Sequence, residues 1–126
     1  MKERGKFSLK ARLFSFINAF AGIRVLLRDE HNVRIHCCAA VLVVAAGFLF
    51  GISAGEWIAV VFAIGLVFTA EGLNTAVERL SDQVQPEWDE HIRDIKDLAA
   101  GSVLFAAIAA LVVGLIIFVP KIIALF

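Results

Sequence analysis

The chain has 126 residues, of which 60% are apolar, and its mean hydropathy is +0.86. This composition is typical of a membrane protein, and it excludes a disordered chain. Two cysteines are too few for a disulfide scaffold, and 12 Lys and Arg against 12 Asp and Glu leave no basic excess for binding nucleic acid.

Charged residues occur in two blocks that alternate with two apolar blocks. Residues 1–36 carry eight basic and three acidic side chains, and residues 71–97 carry eight acidic and three basic ones. Residues 37–70 and 98–126 carry one charged side chain each. The formal net charge of zero therefore conceals a strong asymmetry along the chain.

Residues 7–28 mix apolar and basic side chains at helical spacing. We expect an amphipathic helix at the membrane surface, with its basic groups toward anionic headgroups. The alternative for this segment is a soluble helix packed on the cytoplasmic loop.

Three apolar stretches are long enough to cross a membrane. A spanning helix needs about 20 residues at about 1.5 Å each, and in lipid the backbone must satisfy its own hydrogen bonds. The first two stretches form a tight hairpin around residues 51–56. We therefore predict an all-α membrane protein with one domain over residues 1–126, with spanning helices at about 33–52, 56–80 and 97–119 and a loop at 81–96.

The positions of Lys and Arg predict the orientation in the membrane. The N-terminal block is strongly basic, the segment 81–96 carries Arg93 and Lys96, and the turn at 51–56 carries neither residue type. We expect the N-terminal block and the 81–96 loop to face the cytoplasm. Trp57 is then an anchor at the opposite interface.

An acidic stripe occupies the second span. Glu71, Asn74, Glu78 and Asp82 lie at i, i+3, i+7 and i+11, within an arc of about 80° on a helix. Glu71 lies about 21 Å beyond Trp57, still inside a hydrocarbon core about 30 Å thick. A carboxylate at this depth must face protein, a partner or water. Polar residues also join helices, but an acidic stripe without basic partners on its own span repels itself, so the stripe predicts a functional site.

Carboxylates and a lysine are expected at the cytoplasmic boundary of the spans. Glu30 precedes the first span and is expected level with Glu78, where two carboxylates together with phosphate oxygens suit Mg²⁺. Lys96 and Asp97 border the same layer at the start of the third span. Lys96 is suited to neutralising charge on a transferred phosphoryl group, and Glu71 to accepting a proton from a lipid hydroxyl.

The histidines and cysteines predict no site of their own. His31 and His36 are five residues apart and do not share a helix face, and no HExxH motif is present. Cys37 and Cys38 are adjacent and are interpreted as small apolar residues. The chain also has no Walker A sequence and no Gly-rich kinase loop, so residue spacing alone favours ATP only weakly.

The segment Glu71-Gly72-Leu73-Asn74-Thr75-Ala76-Val77-Glu78, followed by Asp82, resembles a family signature, ExLN[ST]A[IV]E…D. This is the signature of the small prokaryotic integral-membrane lipid kinases, the diacylglycerol kinase and undecaprenol kinase family. The similarity runs from about residue 14 to residue 118. It includes residues 19–23, 30–36, 86–88 and 96–101.

The resemblance implies a homotrimer in the bacterial cytoplasmic (inner) membrane, with composite sites between subunits at the cytoplasmic face. It implies direct phosphoryl transfer from ATP, with Mg²⁺, to the hydroxyl of a membrane lipid alcohol. Carried onto matching positions, it makes Glu71 the general base and Glu30 and Glu78 the metal ligands. It also implies that Asn74 orients groups in the site and that the nucleotide is contacted by Asn18, Glu87, Lys96 and Asp97.

Some positions depart from the family pattern. The loop commonly reads Glu-Tyr-His, whereas here it reads Glu87-Trp88-Asp89, which keeps an aromatic ring but loses a hydrogen-bond donor. Lys10 and Arg12 both flank the place where a basic nucleotide contact is expected.

Two questions stay open from the sequence. The first is the lipid, undecaprenol or diacylglycerol, and the block at residues 30–36 resembles the undecaprenol kinase branch more closely. The second is the class of protein, since a non-enzymatic transport or channel subunit is the alternative that uses the acidic stripe for cations. Lys96 favours the kinase, because a phosphate site needs a lysine there and a cation path does not.

Overall fold

The computed structural model describes residue 5 and residues 7–126, and the regular structure within that part of the chain is entirely helical. Four helices follow one another: α1 (Leu9–Asp29), α2 (His31–Phe50), α3 (Ala54–Val84) and α4 (Glu90–Ile123). The last three are long and apolar enough to cross a membrane. The prediction of an all-α membrane protein with three spanning helices after an N-terminal helix is confirmed.

Helix α1 lies outside the packed part of the molecule. Its N-cap is Ser8, whose Oγ accepts a hydrogen bond of 3.3 Å from the backbone N–H of Ala11. No residue of α1 is buried, and large apolar side chains such as Phe14, Phe16 and Phe20 are exposed. A helix with this much exposed apolar surface suits the predicted position at the membrane interface.

A three-residue link between α2 and α3 makes them an antiparallel hairpin. Gly51 ends α2 with φ +61° and ψ +50°, a left-handed conformation that glycine adopts without steric cost. Ser53 and Glu56 then form a capping box at the start of α3, with hydrogen bonds of 3.0 and 3.2 Å. Next to the turn, Gly47 lets the Trp57 ring approach the α2 backbone closely.

Helices α3 and α4 pack along each other and contain most of the core. The buried side chains Ile52, Val60 and Ile117 form its centre, and Phe50 and Phe118 pack against them. This centre lies toward the turn between α2 and α3. At the same end, Glu56 Oε2 and Lys121 Nζ form an ion pair of 2.7 Å.

The loop between α3 and α4 is shorter than the predicted 81–96 segment. It consists of residues 85–89, since α3 continues to Val84 and α4 begins at Glu90. Asp89 caps α4 and accepts hydrogen bonds from the backbone N–H groups of His91 and Ile92 at 2.9 and 3.1 Å. The predicted spans take about the length needed to cross a membrane, whereas α3 and α4 have 31 and 34 residues.

Candidate active site

Glu71 is a buried carboxylate in the interior of the helical bundle. It lies on the same face of α3 as the buried residues Val60, Val67 and Thr75, at spacings that repeat every three to four residues. Only 5% of Glu71 is exposed, and the neighbouring residues of α3 are mostly apolar. A buried ionised group requires a polar partner, so its contacts decide what it can do.

The partner of Glu71 is His36 on α2. The Nε2 atom of His36 lies 2.9 Å from Oε1 of Glu71. Among the residues that the structure describes, no side chain or backbone N–H donates a hydrogen bond to the second carboxylate oxygen, Oε2. One oxygen of Glu71 is therefore held by the protein and the other is available to a substrate.

The sequence interpretation missed His36, although the hairpin carries a signal for it. His36 lies 16 residues before Ile52 and Glu71 lies 18 residues after Ser53, so both are about 24 to 27 Å from the turn along their helices. Counting outward from the turn places the two side chains at the same level.

Asn74 and Glu78 form a second polar pair on α3, one to two turns beyond Glu71. Asn74 Nδ2 donates a hydrogen bond of 3.2 Å to Glu78 Oε1. Asn74 Oδ1 is buried and accepts no hydrogen bond from the described part of the chain. Such an atom is costly unless a ligand or another molecule satisfies it.

Glu30 lies at the junction of α1 and α2, half-buried, and its side chain does not cap α2. It precedes His36 by six residues and Glu78 follows Glu71 by seven, so on antiparallel helices both carboxylates are displaced toward the same end by about 9 to 11 Å. By this count they lie at one level, and Glu78 bonds to Asn74 rather than to Glu30.

An ion pair between the neighbours of these two residues joins α1 to α3. Arg79 Nη2 donates to Asp29 Oδ2 at 2.9 Å, and Arg28 Nε donates to Asp29 Oδ1 at 2.7 Å. The guanidinium groups of Arg28 and Arg79 hold the pKa of the Asp29 carboxyl well below its usual range. Within residues 7–126, no three side chains of the Asp, Glu, His and Cys types converge on a common metal position.

Three charged residues at the start of α4, which are Arg93, Lys96 and Asp97, form ion pairs with one another or with α3. Lys96 Nζ donates to Asp82 Oδ1 at 2.5 Å, and Arg93 Nε lies 3.3 Å from Asp97 Oδ1 on the same helix. Lys96 and Asp82 line a polar pocket of about 290 Å³ together with Glu87 of the loop.

Asn18 is separate from these clusters. It is exposed on α1, at a distance along the chain from the residues that form the three polar groups. The structure therefore assembles three local groups: His36 with Glu71, Asn74 with Glu78, and the polar pocket of Lys96. Glu30 lies level with the second group, and Asp97 and Glu87 lie near the third.

Comparison with known proteins identifies the family that this chain resembles. The family model of prokaryotic diacylglycerol kinase matches residues 17–118. The undecaprenol kinase of Bacillus subtilis is 38% identical over 107 residues, which are 85% of this chain and 87% of that protein. The diacylglycerol kinase of a Synechocystis species is 37% identical over 114 residues, which are 90% of this chain and 65% of that protein.

The matched region begins within α1 and ends within α4, so it includes every site residue predicted from the sequence. The resemblance seen in the motifs is confirmed, and neither relative supports a non-enzymatic transport subunit. The chain belongs to the prokaryotic diacylglycerol kinase family and is a lipid kinase.

Proposed function

We propose that this enzyme transfers the γ-phosphoryl group of ATP, with Mg²⁺, directly to the hydroxyl of a membrane lipid alcohol. The observation that carries the proposal is Glu71, a buried carboxylate with one unbonded oxygen, inside a bundle of membrane-spanning helices. A lipid dissolved in the bilayer can bring a hydroxyl to this depth, whereas a soluble acceptor cannot. The family assignment supports the same reaction class.

The proposed reaction begins with proton transfer to Glu71. Its Oε2 accepts the proton of the lipid hydroxyl while the hydroxyl oxygen attacks the γ-phosphorus of ATP. The bond between the γ-phosphorus and the β,γ-bridging oxygen breaks, and the products are ADP, a lipid phosphate and a protonated Glu71. Loss of that proton to water restores the enzyme.

The residues beyond Glu71 fit Mg²⁺. Asn74 Oδ1 is a buried oxygen without a hydrogen bond, and it lies on the residue whose amide nitrogen bonds to the Glu78 carboxylate. Carboxylate and amide oxygens are hard ligands, and Mg²⁺ in phosphoryl-transfer sites takes one or two carboxylates, the remaining positions going to phosphate and water. Glu30, at the level of Glu78, completes the proposed carboxylate pair. When bound, the ion neutralises charge on the phosphate oxygens.

The polar pocket at the loop is the proposed nucleotide contact. Lys96 supplies a positive charge at its wall, and its ion pair with Asp82 fixes the position of the ammonium group. Glu87 lines the same pocket, and Asp97 is the next residue along α4. Asn18 lies on α1 outside this pocket, so its proposed nucleotide contact belongs to a composite site in the predicted homotrimer.

We propose that the site faces the cytoplasm from the bacterial cytoplasmic membrane. The charged ends of α1, α3 and α4 lie at one end of the bundle, and the uncharged turn at residues 51–53 lies at the other. An excess of Lys and Arg marks the cytoplasmic side of a membrane protein. ATP is also a cytoplasmic substrate, so this orientation brings the nucleotide to the site.

The experiment that tests the proposal combines purified protein, ATP radiolabelled at its γ-phosphate and a panel of lipid alcohols in mixed micelles. We expect label in an organic-soluble product only when Mg²⁺ and a lipid alcohol are present, with undecaprenol a better acceptor than diacylglycerol. Glu71→Gln should lower the rate about 100-fold or more, because it removes the proton acceptor. Glu90→Gln, an exposed carboxylate at the start of α4, is the matched control.

Transfer of label to no lipid alcohol would contradict the proposed function. Full activity of Glu71→Gln would contradict the general-base role alone. A higher rate with diacylglycerol would assign the enzyme to that substrate rather than to undecaprenol. Circular dichroism and size-exclusion chromatography of each variant check that the helical fold is retained.

A further inference from the structure

We propose that His36 is a positioning residue for Glu71, and that the kinase needs its imidazole to hold the carboxylate in the orientation that accepts the lipid proton. This inference rests on the proposed function, in which Glu71 is the general base. His36 lies on α2, whereas the family signature lies on α3. Residue spacing on α3 alone therefore does not identify it.

The geometry of the pair allows only one direction of hydrogen bonding when Glu71 is ionised. A carboxylate accepts and cannot donate, so the hydrogen lies on Nε2 of His36 and points to Oε1 of Glu71 across 2.9 Å. The contact leaves Oε2 without a partner among the described residues. His36 thus binds one oxygen of the carboxylate and directs the other toward the place of the substrate.

The surroundings of the pair make this contact the main polar constraint on Glu71. The Glu71 side chain is 6% exposed and that of His36 is 26% exposed. On the bundle side, His36 borders an apolar cavity of about 110 Å³ between α2, α3 and α4, which it shares with small residues such as Ala39 and Ala63. No other donor within residues 7–126 competes for the carboxylate, and hydrogen bonds in such apolar surroundings orient side chains strongly.

The backbone under His36 is held in place by packing. Val33 lies three residues earlier on the same face of α2, and it is the largest fully buried side chain in the described part of the molecule. Burial of Val33 anchors this turn of α2, so the backbone that carries His36 is held against the bundle. The imidazole therefore reaches Glu71 from an anchored turn of the helix.

This role predicts a specific kinetic change. A displacement of about 1 Å in a reacting group lowers rates about 100-fold. The pocket proposed for the nucleotide is remote from this contact, since its α3 residue, Asp82, lies about 16 Å beyond Glu71 along the helix. We expect His36→Ala to lower kcat about 10- to 100-fold and to leave the KM for ATP within about twofold. His36→Gln retains a terminal N–H donor and should recover most of the lost kcat.

The kinetic experiment uses the full-length protein in micelles, with His31→Ala as the matched control. His31 is an exposed histidine at the start of the same helix, so its loss should leave both constants unchanged. Unchanged kcat in His36→Ala would overturn the proposal. Equal losses in His36→Ala and His36→Gln, together with a raised KM for ATP, would also overturn it, because that pattern indicates a structural role.

A spectroscopic measurement tests the contact without using activity. Nuclear magnetic resonance of protein containing isotope-labelled histidine should show the His36 imidazole nitrogens shifted in Glu71→Gln and unshifted in Glu90→Gln. An unshifted His36 signal in Glu71→Gln would overturn the contact and the proposal with it.

The wild-type lipid kinase assay and the His36→Ala kinetics distinguish a failure of the proposed function from a failure of the proposed role of His36. A wild-type protein that phosphorylates lipid normally, with normal kcat in His36→Ala, contradicts only the role of His36. A folded wild-type protein that phosphorylates no lipid alcohol contradicts the proposed function itself, whatever the histidine signals show.

Discussion

Asn74 is the single residue whose hydrogen bonding most directly indicates a ligand site. Its Nδ2 donates to Glu78, while its Oδ1 is buried without a hydrogen bond from the described residues. A buried acceptor left without a partner costs about 1 to 3 kcal/mol. A bound ligand that donates to or is coordinated by this oxygen removes the cost. For this reason we propose that the metal binds beside Asn74 and Glu78.

Replacement of Asn74 should separate stability from activity. In Asn74→Ala the unsatisfied oxygen disappears and alanine favours the helix, so we expect the free energy of unfolding to change by less than about 1 kcal/mol. Lipid phosphorylation should fall at least about tenfold, since the orienting amide is lost. Denaturant titration and the lipid kinase assay measure the two quantities. A large loss of stability in parallel with activity would show that the amide is structural.

The carboxylates proposed as metal ligands should control the magnesium requirement. In Glu30→Ala and in Glu78→Ala we expect a higher Mg²⁺ concentration for half-maximal activity, because each variant removes one hard oxygen ligand. A magnesium titration at saturating ATP measures this. Glu90→Ala removes an exposed carboxylate outside the site and should leave the curve unchanged. A normal magnesium curve in both site variants would remove these residues from the metal site.

Residue spacing predicted which side chains share a face of α3, but it did not predict the contacts between helices. The repeat of about 3.6 residues per turn places Glu71, Asn74 and Glu78 on one stripe, and it needs no knowledge of other helices. The stripe is nevertheless not uniform, since Glu71 is buried and Asn74 and Glu78 are half-buried. The contact with His36 depends on the register of α2 against α3, which the turn at Gly51 determines.

The turn at Gly51 controls the α2–α3 hairpin at the scale of elements. A side chain at φ +61° costs about 1 to 2 kcal/mol, although the space around a Cβ at this position is open. The cost of a substitution is therefore conformational, and steric crowding does not contribute to it.

We expect Gly51→Ala to lower the free energy of unfolding by about 1 to 2 kcal/mol. Gly55→Ala is the matched control, because that glycine lies in the first turn of α3 with ordinary φ and with no atom within 4 Å of the added Cβ. The control should be neutral or slightly stabilising. Denaturant titration in micelles measures both variants, and equal effects would contradict the role of the left-handed turn.

The charge pattern of the sequence does not determine where α3 ends and where α4 begins. The second predicted span ends at residue 80 and the third begins at residue 97, and each is close to the length that crosses a membrane. A helix can continue beyond that length, and α3 continues to Val84. The end of α3 and the start of α4 follow from the cap at Asp89 and the short loop before it.

The whole molecule has a small core for its size. In the part of the chain that the structure describes, six apolar side chains are buried, and they are Val33, Ile52, Val60, Val67, Ala106 and Ile117. Large apolar side chains on α2, α3 and α4 are exposed along the spanning helices. Lipid tails and partner subunits are the environments that suit such surfaces.

Mixed assemblies test the predicted homotrimer and its composite sites. Glu71→Gln should be inactive alone, and Asn18→Ala should have reduced activity. When the two variants are unfolded together and reassembled, some sites receive Glu71 from one subunit and Asn18 from another, so activity should rise above that of either variant alone. Mass measurement of the assembled protein should give three copies. Absence of restored activity in verified mixed assemblies would show that each subunit works alone.

The ion pair of Glu56 and Lys121 has a consequence for how the spanning helices hold together at one end. These are the two charged side chains at the far end of the spanning helices, and each is costly to move through hydrocarbon. Each of these side chains would be an unpaired charge next to apolar helices without the other, so the pair links the end of α4 to the start of α3. Loss of either partner should therefore loosen the turn end of the bundle while leaving the polar groups at its opposite end in place.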